Sequence, residues 1–289
     1  MPVGIRWRPP KLTTPVVANI TSSARNFSGG SPVAVGAAPA EGQALNDAQD
    51  YLFKMPSQVS GTNGVQIQGG RDIVILGGEI SIPASPGSES ASRGLYLLDQ
   101  VGTVHVEGVH FTGAGLGEGI QLNQKKGATV QGGNLRFNAI VSGAGASWHG
   151  DIIQSFGGPR VLRIDKLTGV TDYQAFYFDG IAAGFADPDI IQISNVNVSD
   201  SVAGDYNVMF NNFTTAQTQF ENIYHLFGAA AGRTDQSNFG TLEGFGVKWK
   251  GVNIVNSAPP GGDIVPLYTT VAGVGAGIGY VPSDASYVN

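Results

Sequence analysis

His149 and Asp151 form the pair in this chain best suited to acid–base chemistry, in the stretch Trp148-His149-Gly150-Asp151 followed by Ile152-Ile153-Gln154. Residues two apart on a strand share a face. A histidine base oriented by a carboxylate is the arrangement that general acid–base catalysis needs, which makes His149 and Asp151 the candidate catalytic residues. A histidine packed at the base of a loop is the structural alternative. Around this pair the sequence places Glu118, Trp148, Tyr173, Gln174 and Tyr177. Sugar rings stack on exposed aromatic faces while polar side chains read their hydroxyls, so Glu118, Trp148, His149, Tyr173, Gln174 and Tyr177 are the candidate glycan-binding set. Tyr177 lies between Phe176 and Phe178, which alternation assigns to the core.

These residues must be positioned by short strands. A hydrophobic pair, a bend residue and a second apolar pair recur seven times: around Gly77, Gly108, Gly132, Lys166, Asn195, Asn222 and Gly251, at intervals of 24 to 34 residues. Ile73/Ile75 then Ile80/Ile82, Val104/Val106 then Val109/Phe111, and Ile191/Ile193 then Val196/Val198 alternate with polar residues. Period two with β-branched residues means strand, and Gly or Asn suits a bend at positive φ. Lys166 departs from that chemistry. A second strand family precedes the bends, at Gly94, Gly119, Asp151, Ala175 and Asn207. Self-similarity at this period predicts an all-β parallel β-helix solenoid of about seven coils. Aligning the coils gives two polar columns. Glu118, His149 and Gln174 stand before the second strand, with Arg93 and Asp205 placed less securely. Asn123, Gln154, Asp179 and Asn211 stand at its end, where a structural ladder satisfies turn backbone groups.

The pattern resembles the single-stranded right-handed parallel β-helix of the pectin-lyase-like superfamily over roughly residues 60 to 256, as found in bacteriophage tailspike and other virion proteins. The handedness is implied by that resemblance. The His149, Asp151, Gln154 spacing is similar to an H-x-D-x-x-Q pattern in uncharacterised bacterial β-helix proteins, which implies a location and no reaction. Polygalacturonase-like members carry N-x-D, D-D, H-G and R-I-K motifs. This chain has His149-Gly150 and Arg163-Ile164-Asp165-Lys166 but no adjacent aspartates. The pectate-lyase type holds Ca²⁺ in a carboxylate cluster beside an arginine base. Here Asp187-Pro188-Asp189 is the close carboxylate pair, and its proline suits a turn better than a metal cage. No metal and no cofactor is expected. Glycoside hydrolysis requires two opposed carboxyls, for which Glu118 and Asp151 on adjacent coils are the available pair.

Composition narrows the classes. With 13% charged residues, 43 glycines in 289 and a formal charge of −6, no clustered basic surface exists for nucleic acid. The absence of cysteine removes disulfides, thiolate metal sites and cysteine nucleophiles. No apolar stretch follows the N-terminal basic residues, so no signal peptide is expected, and VAGVGAGIGYV is too short to span a bilayer. The expected organisation is an N-terminal extended arm over 1–43, a capped β-helix over 44–256 and a C-terminal extended arm over 257–289. Residues 44 to 55 fit either helical spacing or the strand spacing of Tyr51, Phe53 and Met55. The arms would contact other virion or assembly subunits in a homo-oligomer. The expected function is a non-enzymatic structural or adhesive component of a bacteriophage virion (tail spike, fibre or head decoration), exposed on the particle, with a polysaccharide ligand. The alternatives are a polysaccharide lyase or glycoside hydrolase, and a bacterial surface adhesin.

Overall fold

The computed structural model describes residues 8–141, 150–178, 188–200, 217–226, 248–249, 258–283 and 287. It is an all-β parallel solenoid. The first strands are β1 (Val16–Asn19), β2 (Asn26–Phe27), β3 (Tyr51–Lys54) and β4 (Gln58–Ser60). They lead to β5 (Val65–Gln68), β6 (Ile73–Leu76) and β7 (Glu79–Ser81), then, after a 3₁₀ turn at Ser90–Ser92, to β8 (Arg93–Leu98), β9 (Thr103–Glu107) and β10 (His110–Thr112). Longer strands follow: β11 (Glu118–Asn123), β12 (Thr129–Ile140), β13 (Asp151–Gly157), β14 (Val161–Thr171), β15 (Gln174–Phe178), β16 (Ile190–Asp200), β17 (Gln217–Leu226) and β18 (Lys248–Trp249).

One sheet runs β1-β3-β6-β9-β12-β14-β16-β17-β18, and the other β2-β5-β8-β11-β13-β15. Each strand pairs in parallel with its equivalent one turn away. Four turns are described from strand to strand with their connections: β5 to β7, β8 to β10, β11 to β12 and β13 to β14. The solenoid therefore has about four turns rather than the expected seven. Counting bends on one sheet overstates turns, because β17 and β18 have no partner strands in the second sheet among the described residues.

Inward residues stack in columns. Ile73, Val104, Val130, Leu162 and Ile191 stand in register, as do Ile75, Val106, Gly132, Ile164, Ile193 and Phe220. Facing them from the second sheet are Val65, Leu95, Ile120, Ile153 and Phe176. All the side chains in these columns are buried, each large one stabilising the fold by roughly 1.5–3 kcal/mol relative to exposure. Phe111 and Phe137, one turn apart, stack with centroids 4.5 Å apart.

The bends also form a column, with positive φ at Gly77 (62°), Gly108 (71°), Asn134 (51°), Lys166 (64°), Asn195 (53°) and Asn222 (54°). Each stands opposite its equivalent because the flanking residues pair without slip. Two sequence expectations change here. Asn134 makes the third bend, not Gly132; a Cβ at Gly132 would come within 2.7 Å of Leu135, so that glycine answers a packing constraint. Lys166 is a regular member of the column despite its side chain. The Asn195 amide donates to Asp165 Oδ1 at 2.7 Å, and the Asn222 amide donates to Asn195 at 3.1 Å. Residues 51–54 take the strand alternative and bury Tyr51 and Phe53.

The terminal segments lie against the same chain. β1 pairs with β3. Residues 258–283 and Tyr287 form a strap along the outer face of the first sheet. Arg136 donates to Asp263 at 2.8 Å and to the Val265 carbonyl at 2.7 Å, and the Val265 amide donates to Thr168 at 2.9 Å. Further along, Gly78 donates to the Gly277 carbonyl and Gly277 to that of Gly108, both at 2.9 Å.

The bend column makes a discriminating prediction. Asn195→Ala loses two side-chain hydrogen bonds and puts a Cβ residue without local compensation at positive φ, a destabilisation of about 2–3 kcal/mol. Asn195→Gly keeps the backbone freedom and should lose only about 1 kcal/mol. Urea unfolding of both variants checks the order.

Candidate functional site

The leading edge of the second sheet gathers a row of chemically active groups, one from each of four successive turns. Arg93, Glu118, Asp151 and Gln174 open β8, β11, β13 and β15 and stand directly opposite one another. The residue aligned with Glu118 is thus Asp151; the alignment expected from sequence put His149 there, two positions earlier. His149 and Trp148 lie outside the described residues, as do Asp179, Asp205 and Asn211. The His149/Asp151 pairing therefore has only its aspartate on the structure. Tyr173 and Tyr177 are half-buried, and the Tyr173 amide donates to Thr171 Oγ1 at 3.1 Å.

Glu118 is 1% exposed and Asp151 is fully buried. Arg93 Nε lies 3.2 Å from Glu118 Oε2 and its guanidinium sits 5.0 Å over the Tyr96 ring. With its amide nitrogen turned to Glu118, Gln154 donates to both carboxyl oxygens, at 2.9 and 3.2 Å. Glu89, half-buried immediately before the 3₁₀ turn, closes the group through a side-chain hydrogen bond to Glu118. Among the described residues, neither Asp151 oxygen has a hydrogen-bond partner.

Burial dominates the electrostatics. It pushes the Glu118 carboxyl up to about 9, helped by the Glu89 hydrogen bond and by the charges of Glu89 and Asp151, while Arg93 pulls the other way. Burial likewise holds Asp151 well above the usual carboxylate range, with Glu89 adding to it. An unpartnered buried carboxylate would be strongly unfavourable, so the group takes up a proton instead. At neutral pH Glu118 thus keeps its proton and is able to donate it, and Asp151 is shifted in the same direction.

The polar column one step along also differs from expectation. Gln154 stands opposite Gln121 and Tyr177, and Gln121 opposite Tyr96, with the two amides 3.4 Å apart. Asn123 is opposite Leu98 and Gly157, because β11 slips against β13 between Leu122 and Asn123. Asn123 and Gln154 therefore do not share a column. A hydrogen-bonded ladder does exist one residue further on: Gln124 donates to Gln100 at 2.6 Å, and Gln100 to the Ile67 carbonyl at 2.9 Å.

A second acidic centre was not anticipated. Glu107, on β9 beneath the strap, accepts hydrogen bonds from His105 Nε2 at 2.9 Å and from the Tyr280 and Tyr287 hydroxyls. Asn134 donates to the Tyr280 oxygen at 2.9 Å. Burial raises the Glu107 carboxyl, but the His105 hydrogen bond and charge and the two hydroxyls outweigh it and hold the group below the usual range. Burial and the neighbouring Glu107 charge push the Tyr280 hydroxyl up. The His105-x-Glu107 spacing on a strand was the available signal, since it puts both on one face. The tyrosines, more than 170 residues away, gave none.

Among the described residues, no group of three or more His, Cys, Asp or Glu side chains could hold a metal ion. None of the described helices is long and apolar enough to cross a membrane.

The two centres predict opposite pH responses. Glu107, held low when folded, supplies stability that is present above its ordinary value of 4.5 and lost as pH falls through its folded value. Glu118, raised when folded, supplies stability present below 4.5 and lost as pH rises toward about 9. Glu107→Gln should therefore lower stability by about 2–3 kcal/mol at pH 7 and flatten the acid limb. Glu118→Gln should raise stability at pH 8 by on the order of 1–2 kcal/mol, since it removes the cost of protonating on folding a carboxyl that is ionised in the unfolded chain. Urea unfolding between pH 3 and 9 separates the two. No protein-family model, curated protein or solved structure matches this chain, and the site is read from its own geometry.

Proposed function

We propose that this chain is a non-enzymatic structural and adhesive solenoid that assembles with further copies or other subunits on the outside of a bacteriophage particle, as a tail spike, fibre or head decoration. The observation that carries the assembly reading is the strap. Its inner side is pinned to the first sheet by Arg136, Thr168, Asn197 and Glu107, while Leu267, Val271 and Val274 are 52%, 57% and 38% exposed on it. A rigid segment that holds a run of apolar side chains in water has the character of a contact surface awaiting a subunit. The sealed acid row supports a non-catalytic reading, because Glu118 and Asp151 have no route to a polymer substrate through the described surface. Glycan binding would use Tyr173, Tyr177 and Gln174, with Trp148 and His149 contributing from the adjoining segment.

Sedimentation velocity at micromolar concentration, together with microscopy of the source particle, tests this reading. Oligomers that Leu267→Asp with Val271→Asp convert to monomers support it, and a wild-type monomer contradicts it.

One observation favours a polysaccharide hydrolase or lyase as a second reading. Glu118 and Asp151 lie on neighbouring strands, about 4.8 Å apart along the sheet, and protonated carboxyls of this kind act as general acids in glycoside cleavage. That reading expects release of reducing ends or unsaturated fragments from an acidic or capsular polysaccharide. Glu118→Gln and Asp151→Asn would each lower the rate at least about 100-fold. Absence of products from a panel of such polysaccharides leaves the structural reading in place.

A further inference from the structure

A cavity of about 660 Å³ lies between the strap and the first turns of the solenoid. Leu52, Met55 and Leu76 form its floor, and Ile278 and Val281 of the strap form the opposite wall. The volume falls within the range of small-molecule sites. It exists because the strap crosses the sheet at glycines: a Cβ at Gly77 would come within 2.9 Å of Tyr280, and one at Gly108 would meet the Tyr280 ring at 2.1 Å. The strap is held at that height by main-chain bonds through Gly277 and by the two tyrosine hydroxyls on Glu107. The trough is thus built on a fixed frame, yet Ile278 and Val281 remain 46% and 49% exposed.

Among the described residues, one cation lines it. Lys54 is exposed at the end of β3, and no carboxylate among the described residues pairs with its ammonium. Arg71, Lys126, Arg136 and Arg160 each pair with an aspartate. Glu107, the acid behind the tyrosines, is already saturated by three donors.

We propose that this trough binds an anionic amphiphile: an acyl chain lies between Leu52, Met55, Leu76 and the strap's Ile278 and Val281, with its carboxylate on Lys54. Binding of the chain removes from water the exposed faces of Ile278 and Val281 and that of half-buried Leu76, while Leu52 and Met55 form a floor that is already dry. The Lys54 ammonium, which no carboxylate of the described residues pairs, selects a negative head over a neutral or positive one. This inference stands apart from the assembly reading, since it uses the inner edge of the strap and not Leu267, Val271 or Val274.

Isothermal titration of the full chain with decanoate, decanol and decyltrimethylammonium, below their micelle concentrations, tests it. Saturable 1:1 binding of decanoate, about tenfold tighter than decanol and with no detectable binding of the cation, is the expected result. Lys54→Gln should weaken decanoate about tenfold, to the level of decanol, and leave decanol unchanged. Ile278→Asp, at an exposed position, should remove binding of both, while Val271→Asp on the outer side changes neither. Circular dichroism melts confirm that each variant folds. The proposal is overturned if wild-type protein shows no saturable decanoate binding, or if Lys54→Gln binds decanoate as tightly as wild type. It is also overturned if decanoate does not bind and Ile278→Asp instead dissociates an oligomer, because the trough then receives a second copy of the chain.

Discussion

Every turn of this molecule must bend where its neighbours bend. Parallel strands stacked along the solenoid exchange main-chain hydrogen bonds with the turns above and below, so a bend displaced by one residue would flip a strand's inward set to the outside. The column of positive-φ residues from Gly77 to Asn222 fixes that position. Once it is fixed, the inward side chains fall into continuous columns. The remaining choices are local: a glycine at 132 where Leu135 needs room, and an aromatic pair where two turns meet at Phe111 and Phe137. Asparagine serves this column well because it tolerates the left-handed region and its amide bridges to the next turn.

The same register creates two acidic centres with opposite electrostatics. Glu107 is surrounded by donors, a histidine ring and two tyrosine hydroxyls, and is held as a carboxylate. Asp151 has none among the described residues, and Glu118 shares its surroundings with two other carboxyls, so both are shifted toward the protonated form. Burial raises each of these carboxyls; at Glu107 the His105 hydrogen bond and charge and the two hydroxyls outweigh it, whereas at Glu118 burial together with Glu89 and Asp151 outweighs Arg93. The ionised centre fastens the strap to the solenoid, whereas the neutral row lets strands begin side by side without charge repulsion. Both roles are structural first, and chemistry at Glu118 and Asp151 would be an addition to them.

Much of this was legible in the residues. Alternation around Ile73, Val104 and Ile191 identified core columns because a strand's two faces meet different surroundings, and glycine or asparagine marked most bends because few residues tolerate positive φ. The turn count and the third bend were less legible: Gly132 has the residue type of a bend but a packing role, and only the partner strand shows which of Gly132 and Asn134 turns the chain. The acid row was half visible. Glu118 and Asp151 were both singled out, but placing Asp151 rather than His149 beside Glu118 requires a register that loop lengths between turns do not reveal. The strap's attachment was not legible, since Tyr280 and Tyr287 meet Glu107 only after the whole solenoid has formed.

The central claim is that one register holds Glu118 neutral and Glu107 ionised. Carbon-13 NMR titration of side-chain carboxyls in labelled protein, assigned with Glu118→Gln and Glu107→Gln, measures this directly. The account predicts that the Glu118 carboxyl titrates near 9 and that of Glu107 below its ordinary 4.5. Titration of Glu118 in the usual carboxylate range would contradict it, because that row would then be open to water and charged.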